Sequence, residues 1–190
     1  PEAVRQIFAA KGRPADNPLI VHIAEMRALE QVAATVPPLA EKLAERFWPG
    51  PLTMILPKRK EIPEITSGGL DTVGIRMPSH PVARALIQLS GVPIAAPSAN
   101  ISGYPSPTTA QHVMRDMQGK IAAVVDGGAC SVGVESTVIA LEPNGTVRIL
   151  RPGFVTKEML EEVAPEVTLD PAILHQLQEG QTVRSPGMKY

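Results

Sequence analysis

The chain has 190 residues, of which 44% are hydrophobic and 19% are charged, and its net charge at pH 7 is −1. A chain of this length buries about 70% of the surface that it would expose when unfolded, which favours one domain with its own core. The near-neutral charge excludes binding to polyanions through bulk electrostatics. The only cysteine, Cys130, excludes intramolecular disulfides and cysteine-rich zinc sites. No apolar run in the sequence is long enough for a membrane span.

Helical and strand patterns alternate along the first half of the chain. Apolar residues at helical spacing predict an opening helix that runs to Lys11 and ends at Gly12. Two further helices are predicted over residues 25–36 and 38–47. Short aliphatic runs predict strands at residues 19–23, 53–56 and 72–77.

The second half continues the alternation and adds a hairpin. Helical patterns follow at residues 82–89, 109–119, 157–163 and 171–178, the second capped by Thr108 or Thr109. Strand patterns lie at residues 94–96, 121–125, 137–141 and 146–150. The last two pair as a hairpin across a Glu-Pro-Asn-Gly turn, which makes the sheet mixed. The pattern predicts an α/β domain whose open mixed sheet carries flanking helices and binds ligands in a crevice at the strand ends.

The first polar cluster follows the opening helix. Lys11 lies on the apolar face of that helix, two residues before Arg13, and Asn17 follows in the next turn. Two cations held at one helix end can bind an oligophosphate. The alternative is that both cations cap the helix and face water, and composition alone favours that alternative.

The second cluster lies on the strand predicted at residues 72–77. Strand alternation puts Thr72 and Arg76 on one face, and Gly74 between them lets a ligand approach the backbone. The guanidinium fork of Arg76 matches the geometry of a carboxylate ligand. A structural salt bridge to a neighbouring acid explains Arg76 equally well.

The third cluster is a loop of small polar residues after a strand. Ser98 and Asn100 lie within residues 97–103, and Ser106 follows shortly after. Hydroxyl and amide groups in such a loop can hold phosphate or ribose oxygens. Taken alone, a loop of this composition is more often a simple turn.

A glycine turn at residues 126–128 and the segment 134–138 form the last cluster. Adjacent glycines at a strand end permit close approach of a ligand to the backbone, and they also simply make turns. Glu135 in this segment is not interpreted as a general base. His22, which interrupts an apolar strand, is by itself typical of a core histidine whose hydrogen bonds are satisfied.

The order and wording of these clusters closely resemble the YrdC-like threonylcarbamoyl-AMP synthase family. The similar segments are KGRP at residues 11–14, NPLIVHI at 17–23, WPGPLT at 48–53, VGIRMP at 73–78, APSANISG at 96–103, ESTV at 135–138 and ILRPG at 149–153. The family's signature, Lys-x-Arg followed far downstream by Ser-x-Asn, corresponds to Lys11/Arg13 and Ser98/Asn100. Each segment is weak alone, but the ordered set is specific and covers nearly the whole chain.

The resemblance implies a twisted open α/β sheet around a concave, positively lined cleft. The implied catalytic residues are those of the signature: Lys11, Arg13, Ser98 and Asn100. The implied ATP contacts are Arg13, Asn17, Thr72, Ser98, Ser106 and Arg151. The implied L-threonine pocket comprises His22, Arg76, Ala96 and Ser136, and this assignment overrides the core interpretation of His22.

The implied reaction joins L-threonine, bicarbonate and ATP and releases pyrophosphate and threonylcarbamoyl-AMP. A tRNA-modifying transfer complex would then use the product to make threonylcarbamoyladenosine in tRNA, which implies a cytoplasmic protein. The segments offer no evident nucleophile, so catalysis would rest on positioning and charge stabilisation. The resemblance implies Mg²⁺ carried by the nucleotide and no metal site on the protein.

The resemblance also predicts domain boundaries. Residues 1–180 correspond to the YrdC-like catalytic domain, and residues 181–190 to the start of the linker in the long, two-domain members. Members begin with a strand that precedes the position of Pro1, so we expect that strand to be missing, and we expect a further C-terminal domain.

Two other functions are alternatives. The first is a carbamoyl-adenylate-forming enzyme of the same fold, against which Arg76 and Ser136 argue. The second is a non-catalytic RNA-binding module, and the aromatic content of only 3% argues against it.

Overall fold

A computed structural model describes residues 1–174 of the protein. Its strands are β1 (Ile20–His22), β2 (Leu52–Pro57), β3 (Thr72–Arg76), β4 (Ile94–Ala96), β5 (Thr137–Leu141), β6 (Val147–Arg151) and β7 (Val167–Leu169). Its helices are α1 (Glu2–Lys11), α2 (Leu29–Val32), α3 (Pro38–Phe47), α4 (Glu64–Ser67), α5 (Pro81–Ser90), α6 (Ala110–Met117), α7 (Lys157–Glu161) and α8 (Pro171–Leu174). The predicted linker at residues 181–190 and the end of the helix predicted at residues 171–178 lie outside the described residues.

The strands form one open sheet in the order β4-β1-β3-β2-β5-β6-β7. Three neighbouring pairs are parallel (β1 with β3, β2 with β5, and β6 with β7). The other three pairs are antiparallel, and they include the predicted hairpin of β5 and β6. The predicted α/β class and the open mixed sheet are therefore confirmed.

Strand β3 carries the alternation that its sequence predicts. Val73, Ile75 and Met77 are buried in the main core, whereas Thr72 and Arg76 are half-buried on the other face. Strands β1 and β3 are parallel, and their register places His22, the last residue of β1, directly beside Arg76, the last residue of β3. The sheet thus brings together two residues that are far apart in sequence.

Helix α1 ends where the sequence predicts. Its buried residues are Val4, Phe8 and Lys11, and Gly12 adopts a left-handed conformation with φ of 61°. Glycine reaches this conformation without the steric penalty that a Cβ imposes. Val4 and Phe8 pack against Leu19, which immediately precedes β1. The turn after Gly12 therefore directs the chain toward the sheet.

The helix predicted over residues 25–36 is wrong in extent. A 3-10 turn at Met26–Ala28 leads into the short α2, and the chain is extended at Ala33. The amide of Ala34 donates a hydrogen bond to the carbonyl of Pro57 (2.8 Å), and Ala33 bridges to the residue that follows β2. Pairing with the end of β2 outweighs the local helix propensity of this segment.

The strand predicted over residues 121–125 is also wrong. Within residues 1–174 this segment pairs with no strand, and the side chains of Ile121 and Val125 are exposed. A strand without a neighbour leaves its backbone groups to water and gains nothing from its apolar pattern. Met114 on α6 is exposed as well. Among the described helices, none combines the length and the apolar character needed to cross a membrane.

Candidate active site

One cleft with a volume of about 280 Å³ opens on the sheet. It is bounded by the turn after α1, the ends of β1, β3 and β6, the loop after β4 and the segment before β5. The predicted site residues that line it are Arg13, His22, Arg76, Ala96, Ser98, Ser106, Ser136 and Arg151. Folding therefore collects residues from every polar cluster of the sequence in one place.

The remaining predicted residues do not line this cleft. Lys11, Asn17 and Asn100 are buried behind its wall, where they hold lining residues in place. Thr72 lies on the same strand face as Arg76 but at the opposite end of β3, about 13 Å away for four residues of strand. Thr72 and Arg76 therefore share a strand face but lie at its two ends.

Arg13 is held from below by its own loop. The side chain is buried, with Nη2 donating hydrogen bonds to Asn17 Oδ1 (2.7 Å) and to the carbonyl of Pro18 (2.9 Å). Asn17 is itself almost completely buried. Neither Arg13 nor Lys11 faces water, so the alternative of two solvated helix caps is wrong. Asn17 orients the guanidinium that lines the cleft.

Lys11 clamps the loop that follows β4. Its ammonium donates hydrogen bonds to the carbonyl of Ser98 (2.5 Å), to the carbonyl of Asn100 and to Asn100 Oδ1 (3.5 Å). The backbone amide of Ser102 returns a hydrogen bond to the carbonyl of Lys11 (3.0 Å). The signature Lys and Asn thereby fix the loop that presents Ser98 to the cleft.

Lys11→Met is expected to flatten the dependence of stability on alkaline pH. Burial, and next the charge of Arg13, lower the pKa of Lys11 from its ordinary 10.5 to about 8. Between these two values the unfolded chain keeps the proton that the folded chain has released, so the free energy of unfolding rises with pH. The methionine variant lacks this rise.

Urea unfolding measured from about pH 7 to about pH 10 checks this expectation. Lys42→Met on the exposed face of α3 is the matched control, and it should keep the wild-type slope. If Lys11→Met and Lys42→Met show the same pH dependence, the titration of Lys11 does not control how the free energy of unfolding changes with pH.

His22 presents a neutral imidazole to the cleft. Burial, and next the positive charge of Arg76, lower the pKa of His22 to about 4. Its Nδ1 atom is buried and finds no hydrogen-bond partner among the described residues. Hydrogen bonding to the backbone of Ile94 and Ile20 acts in the opposite direction and raises the pKa. His22 lies in the wall of the cleft, and its assignment to L-threonine stays a prediction.

Arg76 is fixed by the loop between α3 and β2. Its Nε donates a hydrogen bond to the carbonyl of Gly50 (3.0 Å), and the amide of Gly50 donates to the carbonyl of Met77 (2.8 Å). The indole of Trp48 donates to the carbonyl of Leu52 (2.7 Å) and closes the same loop. No carboxylate among residues 1–174 forms an ion pair with Arg76. The structural salt bridge that the sequence left open is not found there.

Ser136 and Arg151 meet at the start of β5. The guanidinium of Arg151 donates to the carbonyl of Ser136 from Nε (3.1 Å) and Nη2 (2.8 Å), and Nη2 also reaches Ser136 Oγ (3.0 Å). The hydroxyl of the fully buried Thr53 lies 2.8 Å from the same Oγ. Residue 153 packs closely against the backbone before β5 and must be glycine, because a Cβ there would lie 2.4 Å from the carbonyl oxygen of Glu135.

Glu135 also lines the cleft, although the sequence pattern predicted no role for it. Its carboxylate lies 3.0 Å from Arg151 Nη1 and accepts a hydrogen bond from Ser106 Oγ (2.8 Å). The charged residues that line the cleft within the described chain are Arg13, Arg76, Arg151 and Glu135. Burial, and next the charge of Arg151, lower the pKa of Arg76. Such a cleft has an excess of positive charge and suits an anionic ligand.

Comparison with known proteins agrees with this geometry. A family model described as Sua5_yciO_yrdC, Telomere recombination, matches residues 1–153. Over 188 residues the chain is 55% identical to a threonylcarbamoyl-AMP synthase of Pyrococcus abyssi, covering 99% of this chain and 54% of the relative. It is 52% identical over 191 residues to a threonylcarbamoyl-AMP synthase of Bacillus subtilis, covering 100% of this chain and 54% of the relative.

A solved structure is similar as well. The crystal structure of P. abyssi Sua5 complexed with L-threonine matches with a TM-score of 0.94 at 54% identity, covering 100% of this chain and 55% of that one. The chain thus spans about half the length of these relatives. The matched residues 1–153 include all the residues that line the cleft. On this match, the chain belongs to the Sua5/YciO/YrdC family.

Proposed function

We propose that the chain synthesises threonylcarbamoyl-AMP from L-threonine, bicarbonate and ATP, with release of pyrophosphate. The observation that carries the proposal is a cationic cleft that gathers residues assigned by the family resemblance to both organic substrates. The names of the P. abyssi and B. subtilis relatives support the same activity. The solved P. abyssi relative is a complex with L-threonine.

L-Threonine is assigned to the end of the cleft formed by β1 and β3. The Arg76 guanidinium, held through Nε, keeps its two terminal nitrogens for a carboxylate. The neutral imidazole of His22 lies beside Arg76 in the wall of this part of the cleft. Ser136 supplies a hydroxyl whose position Thr53 and Arg151 fix, and Ala96 contributes backbone from β4, the strand that pairs with β1.

ATP is assigned to the part of the cleft lined by Arg13, Ser98, Ser106 and Arg151. Two guanidinium groups and two hydroxyls suit the oxygens of a triphosphate. Lys11 and Asn100 act on the nucleotide by fixing the Ser98 loop, and Asn17 acts by orienting Arg13. We retain Thr72 as an ATP contact only for a part of the nucleotide that extends past the cleft lining.

The reaction needs two bonds to form. The amine of L-threonine attacks the carbon of bicarbonate, with loss of water, and gives a carbamate. A carbamate oxygen then attacks the α-phosphorus of ATP and expels pyrophosphate, which leaves threonylcarbamoyl-AMP. The side chains contribute by holding the reactants together and by stabilising the negative charge that develops on phosphate.

Mg²⁺ is placed on the phosphates of the nucleotide. Mg²⁺ prefers phosphate and carboxylate oxygens, and Glu135, the carboxylate of the described cleft lining, is already engaged by Arg151 and Ser106. No cluster of three or more ligating side chains suited to a metal occurs among residues 1–174. The metal would neutralise the charge of the leaving pyrophosphate.

The product is a mixed anhydride that water destroys, so a transfer complex that modifies tRNA adenosine is the expected consumer. We place the protein in the cytoplasm, where ATP and tRNA are both available. The free and exposed thiol of Cys130 is compatible with that reducing compartment.

The test is product formation by the purified protein. Incubation with L-threonine, bicarbonate and Mg-ATP should yield pyrophosphate and a compound with the mass of threonylcarbamoyl-AMP. Omission of either L-threonine or bicarbonate should abolish both products, because each supplies atoms of the product. Pyrophosphate release without L-threonine would indicate a simple nucleotide hydrolase.

Binding measurements separate this function from the RNA-binding alternative. Isothermal titration with L-threonine, with Mg-ATP and with a bare RNA stem-loop should give heat for the first two only. Tight binding of the stem-loop without binding of L-threonine would refute the proposed synthesis and favour an RNA-binding module.

A further inference from the structure

Glu135 lies where an anionic ligand of this cleft would bind. Its Oε1 accepts a hydrogen bond from Ser106 Oγ (2.8 Å), and its Oε2 lies 3.0 Å from Arg151 Nη1. A hydroxyl and a guanidinium nitrogen that converge on two oxygens of one carboxylate match the donors that two oxygens of one phosphate require. The carboxylate therefore occupies a ready-made anion site.

Arg151 does not depend on Glu135 for its position. Its Nε and Nη2 are bound to the carbonyl and hydroxyl of Ser136, and its side chain is only 15% exposed. The side chain of Glu135 is 43% exposed. Exposed ion pairs of this kind contribute little to stability. Of the two side chains, that of Glu135 is therefore the one that can move away from the ion pair.

We propose that Glu135 is an internal counter-ion, which occupies the donors of Ser106 and Arg151 before nucleotide binds and is displaced by phosphate oxygens of the bound nucleotide. This inference rests on the proposed function, since it assigns the Ser106–Arg151 donors to ATP. The carboxylate competes with the nucleotide for the same donors, and its return after the reaction favours release of the product. Glu135 is thus a residue that tunes nucleotide affinity and forms no bond with the reacting atoms.

Because Glu135 competes with the nucleotide, removal of its charge is expected to raise the affinity for the nucleotide. Removal of a side chain that helps to hold a ligand weakens binding, whereas removal of a competitor strengthens it. Glu135→Gln keeps the size of the side chain and removes its charge, and Glu135→Ala removes the competing group altogether. Because the side chain is 43% exposed, both variants are expected to fold like the wild type.

The experiment is isothermal titration of Mg-ATP, and separately of L-threonine, into the wild type and both variants. Mg-ATP should bind both variants about threefold to fivefold more tightly, the range expected for loss of a partly exposed ion pair. L-Threonine affinity should stay unchanged, because its assigned contacts include neither Ser106 nor Arg151 and because Arg151 keeps its hydrogen bonds to Ser136 through Nε and Nη2. The gain for Mg-ATP should shrink as salt is added, because salt screens partly exposed charges.

Glu142→Gln is the matched control. Glu142 pairs with Arg148 at 2.9 Å on the β5–β6 hairpin, away from the cleft, so its neutralisation should alter neither affinity. Weaker or unchanged binding of Mg-ATP to both Glu135 variants would overturn the counter-ion proposal. Weaker binding would mean that Glu135 helps to hold the nucleotide, and unchanged binding that it has no role in nucleotide affinity.

The readout is binding and needs no turnover. If the wild type binds Mg-ATP but makes no product, the proposed synthesis fails while the counter-ion inference is still decided. Absence of Mg-ATP binding in the wild type and in both variants would overturn both proposals.

Discussion

Arg76→Lys is expected to weaken L-threonine binding by about 30-fold while ATP binding changes little. The guanidinium of Arg76 is held through Nε by the carbonyl of Gly50 and is left with a planar pair of donors for a carboxylate. A lysine keeps the positive charge but cannot form the two parallel hydrogen bonds. The loss should therefore fall on the amino acid substrate.

Isothermal titration with L-threonine and with Mg-ATP measures both effects. Arg46→Lys is the matched control, since Arg46 forms an exposed ion pair with Glu162 remote from the cleft. Equal losses for the two ligands in Arg76→Lys would show that Arg76 supports the cleft as a whole and does not bind the carboxylate.

Gly153→Ala is expected to lower the free energy of unfolding by about 3 kcal/mol, the upper range for a forced fit in a packed site. A Cβ at Gly153 would lie 2.4 Å from the carbonyl oxygen of Glu135 and 2.5 Å from the amide nitrogen of Thr137. Both are backbone atoms, so the chain around Ser136 must shift. That shift would also displace Arg151, and binding of both substrates should be lost.

Gly133→Ala provides the comparison for Gly153→Ala. Gly133 belongs to the segment just before β5, but a Cβ there would meet no atom within 4 Å. Its free energy of unfolding should match that of the wild type in urea titration. Wild-type stability in Gly153→Ala would mean that the close approach of residues 151–153 to β5 is not required.

The local elements of this protein were largely predictable. Helix α3 has the predicted bounds, and β3 has the predicted alternation, because a few neighbouring residues determine helical and strand periodicity. The end of α1 at Gly12 and the β5–β6 hairpin follow from the same short-range rules. The two wrong elements, at residues 25–36 and 121–125, are those whose state depends on a partner strand.

The candidate site was predicted as a set of residues but not as an arrangement. The strand pattern placed Arg76 and Thr72 on one face, and only the sheet register shows that Arg76 lies beside His22 at the cleft end. Lys11 was expected near the phosphates, and the structure shows that its ammonium binds the loop of Ser98. A long lysine side chain has several low-energy directions, and the carbonyl groups that select one of them come from a distant loop.

The sequence by itself determined the helix and strand periods, the class of the fold, and an ordered set of motifs from Lys11 to Arg151 that is specific to one family. The tertiary structure alone decided which of these residues line the cleft and which support it. Lys11 and Ser98 are separated by 87 positions in the chain, and no local rule relates them. The tertiary structure also decided that the carboxylate of Glu135 pairs with the guanidinium of Arg151, because such contacts depend on which surfaces come together when the sheet forms.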